Sequence, residues 1–309
     1  HTLEAYRLAI EMGADFIEPD LVLSKDGILV ARHENEISGT TDVAQRPEFA
    51  ARQATKTIDG QSVTGWFTED FTFAELRTLK ARERLPELRV ANTAYDGQFL
   101  IPSFDEILEL ALTEGQARGR VIGVYPETKH PSYFTSIGLP HEAPLLSVLA
   151  HYGLTEAGSP VFIQSFEVGN LKVLRTKTKV RMIQLIDSEA GPTDLPDTLY
   201  ADMITPDGLK AIAAYADGIG PFKDLVIART ADGHLGRPTQ LVEHAHAVGL
   251  KVHPWTFRAE NYFLPAGLKT SSDPKEKGDL ASEIKAFVAA GVDGIFSDHS
   301  AEAHAALSD

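Results

Sequence analysis

Residues 15–23 read Asp15-Phe16-Ile17-Glu18-Pro19-Asp20-Leu21-Val22-Leu23, and residues 28–32 read Ile28-Leu29-Val30-Ala31-Arg32. Between them lies Ser24-Lys25-Asp26-Gly27, a turn signal, so the first run reads as a strand that hairpins back into the second. Outward from this pair, apolar runs of strand length recur at 121–127, 161–165, 180–186, 218–220, 251–257 and 294–297. Helical spacing fills the intervals: 2–12, where Leu3, Tyr6 and Ile10 share a face, then 143–152, 168–175, 206–214, 238–248 and 280–290. Ser103-Phe104-Asp105-Glu106 and Thr72-Phe73-Ala74-Glu75 are capping boxes, which start helices running into 107–112 and 76–79. Repeated strand–helix units imply a parallel sheet with helices outside. Over 309 residues they favour a TIM-type (β/α)8 barrel within the α/β class over an open sheet. No Gly-x-Gly-x-x-Gly follows a strand, so dinucleotide binding on an open sheet has no support.

Residues 34–102 break the rhythm with Gly60, Gly65, Gly97 and many polar side chains. They are expected to form a cap-like insertion at the barrel mouth, within a single domain spanning 1–309. A second irregular stretch at 266–278, rich in Lys, Ser, Asp and Pro, reads as a surface loop before the last helix.

The charge balance excludes some partners. With 29 Lys+Arg against 44 Asp+Glu, the net charge of −15 argues against nucleic acid, whose phosphates need a basic surface. An anionic small molecule stays possible, because a bound cation inverts the local field. Zero cysteines remove disulfides, thiolate metal sites and thiol nucleophiles, and point weakly to a periplasmic or secreted protein. No run of about 18 apolar residues exists, so no integral membrane segment is expected. The sequence begins at His1 rather than Met, which leads us to expect chain upstream of it.

Residues two apart on a strand share a face, so Glu18 and Asp20 point the same way with Phe16 below them. Side by side, two carboxylates repel unless a cation intervenes or one is protonated. In Val121-Ile-Gly-Val-Tyr-Pro-Glu127-Thr-Lys129, the residues Gly123, Tyr125, Glu127 and Lys129 share a face. Glu18, Asp20 and Glu127 would make an all-oxygen site, suited to a hard divalent cation such as Mg2+ or Ca2+. Beside such a cation Lys129 is a candidate phosphate contact; its alternative is a surface pair with Glu127. His33, at the end of the hairpin's second strand, is a candidate general acid or base. Trp255 and Phe166 are candidate substrate walls or barrel core. His244 and His246 diverge on their helix, which disfavours a metal there. Asp298 ends the last strand and is a candidate orienting group.

Together these stretches resemble a known family. Glu18-Pro-Asp20, the strand ending at His33, Tyr125-Pro-Glu127-Thr-Lys129, Gln164-Ser165-Phe166, Trp255-Thr256 and Asp293-Gly-Ile-Phe-Ser-Asp298 occur in the order found in glycerophosphodiester phosphodiesterases. The opening His1-Thr-Leu-Glu-Ala-Tyr6 resembles the family's first helix, and the long segment after His33 resembles the insertion of the periplasmic or secreted branch. The resemblance implies a barrel hydrolase that cleaves glycerophosphodiesters to glycerol 3-phosphate and an alcohol. It also implies one cation, Ca2+ or Mg2+ with a lean to Ca2+, on Glu18, Asp20 and Glu127. Acid/base catalysis would fall to His33 and a second histidine, phosphate contact to Lys129, and contact with the glycerol moiety to Phe166 and Trp255. The family's first strand ends in a His-Arg-Gly motif, and this sequence begins after that point. The first barrel strand, a first catalytic histidine and a phosphate-binding arginine are therefore expected to precede His1. Glu34 stands where the family usually has Asp.

Three alternatives stay open at this stage: a phospholipase D-like lyase of the sphingomyelinase D kind, a barrel phosphodiesterase for another head group such as a phosphoinositide, and a non-catalytic, metal-stabilised binding domain. The cap length and the lack of cysteine weigh against the first. No sequence feature assigns an oligomeric state.

Overall fold

Pro19 and Pro126 each interrupt an apolar run that the sequence presents as one strand, because proline brings no N–H to a ladder. The computed structural model describes residues 1–308, in two contact units. The first holds His1–Ile10, Asp15–Ile163 and Lys177–Val180; the second holds Glu11–Ala14, Gln164–Thr176 and the chain from Arg181.

In the first unit, α1 (Leu3–Glu11) leads into β1 (Phe16–Ile17), β2 (Asp20–Leu23) and β3 (Leu29–Ala31), the last two being the expected hairpin. Residues 34–102 carry a second hairpin, β4 (Ala54–Ile58) and β5 (Gln61–Gly65), and the short helix α2 (Phe73–Leu76). At this hairpin's tip Asp59 (φ 49°) and Gly60 (φ 78°) both take positive φ, the requirement of a type I′ turn and the reason for an Asp-Gly pair. Both capping boxes form; the second starts α3 (Phe104–Arg118), which stops at Gly119 (φ 65°). Next come β6 (Gly123–Val124) and β7 (Glu127–Thr128).

β1 pairs with β6 and β2 with β7, both parallel. The ladder runs on across the prolines: the carbonyl of Pro19 accepts from Glu127 N–H at 2.9 Å, and that of Ile17 from Tyr125 N–H at 2.9 Å. Asp20 and Glu127 are consequently cross-strand partners. Phe16 faces Gly123 across β1 and β6, and a Cβ at Gly123 would lie 2.1 Å from the Phe16 ring. Phe16, Tyr125 and Phe162 cluster with ring centroids 5.0–6.2 Å apart. After β7 come α4 (Pro131–Ser136), missed in the sequence, and α5 (Glu142–His151). Val161, just ahead of β8 (Phe162–Ser165), bridges to Val124 in parallel.

The second unit carries α6 (Val168–Arg175), β9 (Arg181–Ile186), α7 (Tyr200–Met203), α8 (Pro206–Ile212) and β10 (Gly218–Pro221). A small hairpin follows, β11 (Ile227–Arg229) with β12 (Leu235–Pro238), so Pro238 ends a strand instead of opening the expected helix. Then come α9 (Leu241–Ala247), β13 (Lys251–Val252), α10 (Leu280–Ala289) and α11 (Ser300–Ser308). β10 pairs in parallel with both β9 and β13. The expected strand at 251–257 is regular only at Lys251 and Val252, since Pro254 has no donor. The run at 294–297 is no strand; it is tied by Phe257 N–H to Phe296 O (2.8 Å) and one parallel bridge between Phe257 and Ser297. Among the described residues no helix is long and apolar enough to cross a membrane.

Candidate active site and metal centre

The period-2 alternation carried through the Pro19 break gathers Glu18 and Asp20. One ligand atom from each of His1, Glu18 and Asp20 lies within 4.8 Å of the other two. His1 Nε2 stands 2.7 Å from Asp20 Oδ2, and its Nδ1 stands 2.6 Å from the Tyr6 hydroxyl. His1 escaped the sequence reading: a histidine just ahead of a helix carries no signal of where its ring will lie.

Glu127 is brought beside Asp20 by register, and Lys129 reaches both. Its Nζ is 3.0 Å from Glu127 Oε1 and 3.7 Å from Asp20 Oδ1. All three side chains are buried, so their charges are coupled. Burial works against the charged form of Asp20, but Lys129 and His1 outweigh it and hold the carboxyl far below the usual range. Glu127 goes the other way: burial and the charge of Asp20 push it well up against the pull of Lys129. Lys129 stays charged despite burial because Glu127 and Asp20 face it. One ammonium thus serves two buried carboxylates. The His1–Glu18–Asp20 cluster, acid-rich and half-buried, could hold a divalent cation.

His33 lies half-buried just past β3, its Nδ1 2.9 Å from Glu34 Oε1. Burial lowers its pKa, the Glu34 hydrogen bond opposes this, and Lys129 adds to the lowering. Glu34 Oε2 is 2.8 Å from His130 Nε2, and His130 Nδ1 is 2.6 Å from Asp59 Oδ2. Held between two carboxylates, His130 is raised to about 9 although burial opposes it. Neither His130 nor Asp59 was singled out from sequence. The one available signal was a histidine directly before Pro131 at the end of a strand carrying carboxylate and lysine.

Phe166 and Trp255, both in the second unit, meet edge-to-face with centroids 5.8 Å apart. Trp255 Nε1 donates to Gly220 O at 2.8 Å, and the Phe222 ring centroid lies 5.2 Å from that of Trp255. Asp298 accepts from Arg258 Nε at 2.7 Å, an orienting contact of the kind expected. His246 is paired with Asp293 at 2.8 Å.

A buried lysine between two carboxylates and a His1–Glu18–Asp20 cluster that could hold a metal ion stand together at parallel strands of an α/β scaffold. The chain belongs to the glycerophosphoryl diester phosphodiesterase family, whose model matches residues 1–302. It is 38% identical to a glycerophosphodiester phosphodiesterase of Arabidopsis thaliana, over 98% of this chain and 81% of that protein. Among solved structures it is similar to a glycerophosphoryl diester phosphodiesterase of Silicibacter pomeroyi, with a TM-score of 0.67, 20% identity, and coverage of 100% of this chain and 88% of that one. A phosphodiesterase of Oleispira antarctica, solved with the product sn-glycerol-3-phosphate, gives a TM-score of 0.62 at 19% identity, over 100% of this chain and 91% of that one. These structural likenesses establish the fold: a TIM-type α/β barrel.

Proposed function

We propose that the protein hydrolyses glycerophosphodiesters to glycerol 3-phosphate and an alcohol, assisted by one divalent cation, Ca2+ or Mg2+, on Glu18, Asp20 and Glu127. The observation that carries this reading, beside membership of the family, is the buried Asp20–Glu127–Lys129 set with more acid than base. A bound cation would neutralise charge developing on the phosphate oxygens. Lys129, a buried ammonium beside Glu127 and Asp20, would donate to a phosphate oxygen as a point charge. His33, its pKa lowered by burial and its Nδ1 held by Glu34, would take a proton from the attacking hydroxyl or return one to the leaving alkoxide. Phe166 and Trp255 offer apolar faces suited to glycerol carbons. We also propose that the protein works outside the cytoplasm, the reading its lack of cysteine favours.

The test is an assay of the full-length protein on glycerophosphocholine and glycerophosphoinositol, with and without EDTA. Release of glycerol 3-phosphate that stops on chelation and returns with Ca2+ or Mg2+ is expected. A cyclic phosphate as sole product would favour a lyase, and binding without turnover a non-catalytic domain.

A further inference from the structure

The hairpin of β4 and β5 lies far in sequence from His33 and His130, yet its tip is tied to both. Asp59 Oδ2 accepts from His130 Nδ1–H at 2.6 Å, Glu34 Oε2 accepts from His130 Nε2–H at 2.8 Å, and Glu34 Oε1 accepts from His33 Nδ1–H at 2.9 Å. Four side chains from three separate stretches thus form one unbranched run, carboxylate–imidazole–carboxylate–imidazole, ending at the proposed catalytic histidine. One of its members, His130, sits in a backbone conformation that side chains rarely adopt, at φ 49°, ψ 46°. A left-handed non-glycine residue is disfavoured, and it persists where the surroundings over-determine it. Here the surroundings include two carboxylates, one at each nitrogen of the same ring.

We propose that Glu34, His130 and Asp59 are positioning residues for His33, and that the hairpin thereby supplies part of the catalytic machinery. The inference rests on the assignment of His33 made above and adds the means by which that ring is held. Glu34 carries a half-exposed side chain, which left alone would sample several rotamers. His130, with both nitrogens donating, pins Glu34 from one side, and Asp59 pins His130 in turn. Glu34 then presents Oε1 to His33 Nδ1, which fixes the proton on Nδ1 and leaves the lone pair on Nε2. That is the nitrogen left to exchange a proton with substrate, the orienting logic common to carboxylate–imidazole pairs.

The experiment uses the full-length protein carrying Glu34→Gln, His130→Gln or Asp59→Asn, each alone and with His33→Ala, assayed on glycerophosphocholine. Losses in kcat of about 30-fold for Glu34→Gln and about 3–10-fold for Asp59→Asn are expected, with KM within about 3-fold of wild type. With His33→Ala present, each variant should lose less than about 2-fold more, because residues acting as a unit are non-additive. Equal losses in both backgrounds, or a raised KM at unchanged kcat, would overturn the proposal. Imidazole 15N spectra supply a readout independent of turnover. His33 should carry its proton on Nδ1 in the wild type and become a tautomer mixture in Glu34→Gln; an unchanged tautomer refutes the relay. If the wild type hydrolysed no glycerophosphodiester, the functional reading would fall while these spectra still judged the positioning claim. Should Glu34→Gln not fold, Asp59→Asn on the hairpin tip decides by the same kinetic and spectral criteria.

Discussion

Each contact unit contains a buried lysine facing buried acid, and the two arrangements differ in stoichiometry. In the second unit, Lys223 Nζ is 2.6 Å from Glu283 Oε1, one cation to one anion, with the Phe257 ring 5.2 Å from the ammonium. Burial prevails for both partners there: it lowers Lys223 and raises Glu283, each against the other's attraction. In the first unit, Lys129 faces Glu127 and Asp20 together, with Glu18 close to the latter, and its ammonium is held more firmly charged than in water. A pair balanced in charge reads as structure. An acid-rich set stays under electrostatic stress until another positive charge arrives, and stress of that kind is characteristic of a site.

The largest effects should break the acid-rich set. Glu18→Ala in the full-length protein should abolish cation binding by calorimetry and lower turnover by at least about 10³-fold. His33→Ala should lower kcat by about 10²–10⁴-fold while the cation still binds with wild-type affinity, which separates proton transfer from cation binding. The balanced pair should respond differently. Glu283→Ala leaves a buried ammonium alone and should cost about 3–5 kcal/mol in denaturant unfolding, with kcat per folded molecule unchanged. The double change Lys223→Met with Glu283→Leu should recover most of that loss.

A smaller effect, present in both units, concerns pH. Burial depresses His141 and His253 to about 4. Their folded-state values lie below the ordinary 6.5, so the stability they contribute is present above 6.5 and is lost as pH falls from 6.5 towards 4. Each group accounts for about 3 kcal/mol across that window. His141→Leu should flatten the acid limb of a stability–pH curve; an unchanged slope would contradict it. The smallest effect is expected at Gly123→Ala. The Phe16 ring must shift to admit a methyl, costing about 1–3 kcal/mol with a modest fall in turnover, because Phe16 lies beneath the acids.

Much of the site was legible because a strand's period survives a single proline. Spacing alone assigned Glu18 and Asp20 to one face of one strand and Glu127 and Lys129 to one face of another, and the ladder runs on past Pro19 and Pro126 in phase. The family resemblance supplied what spacing lacks, namely the chemistry proposed for those acids. Tertiary accidents were illegible. The relay from Asp59 to His33 depends on a hairpin tip meeting a strand end, and no local pattern announces such a meeting. The helix α11 went unread because its buried side chains are only Ala303 and Ala306, too small to mark an apolar stripe. The long strand expected at 251–257 failed at Pro254, which satisfies the alternation but not the hydrogen bonding.

The central claim is that Glu18, Asp20 and Glu127 share one hard cation. Calorimetric titration of Ca2+ and Mg2+ into the EDTA-treated full-length protein, beside Glu18→Ala and Glu127→Gln, addresses it most directly. One cation per chain in the wild type, with binding lost or weakened at least about 100-fold in both variants, is the expected result. Wild-type affinity retained in both variants would contradict the account.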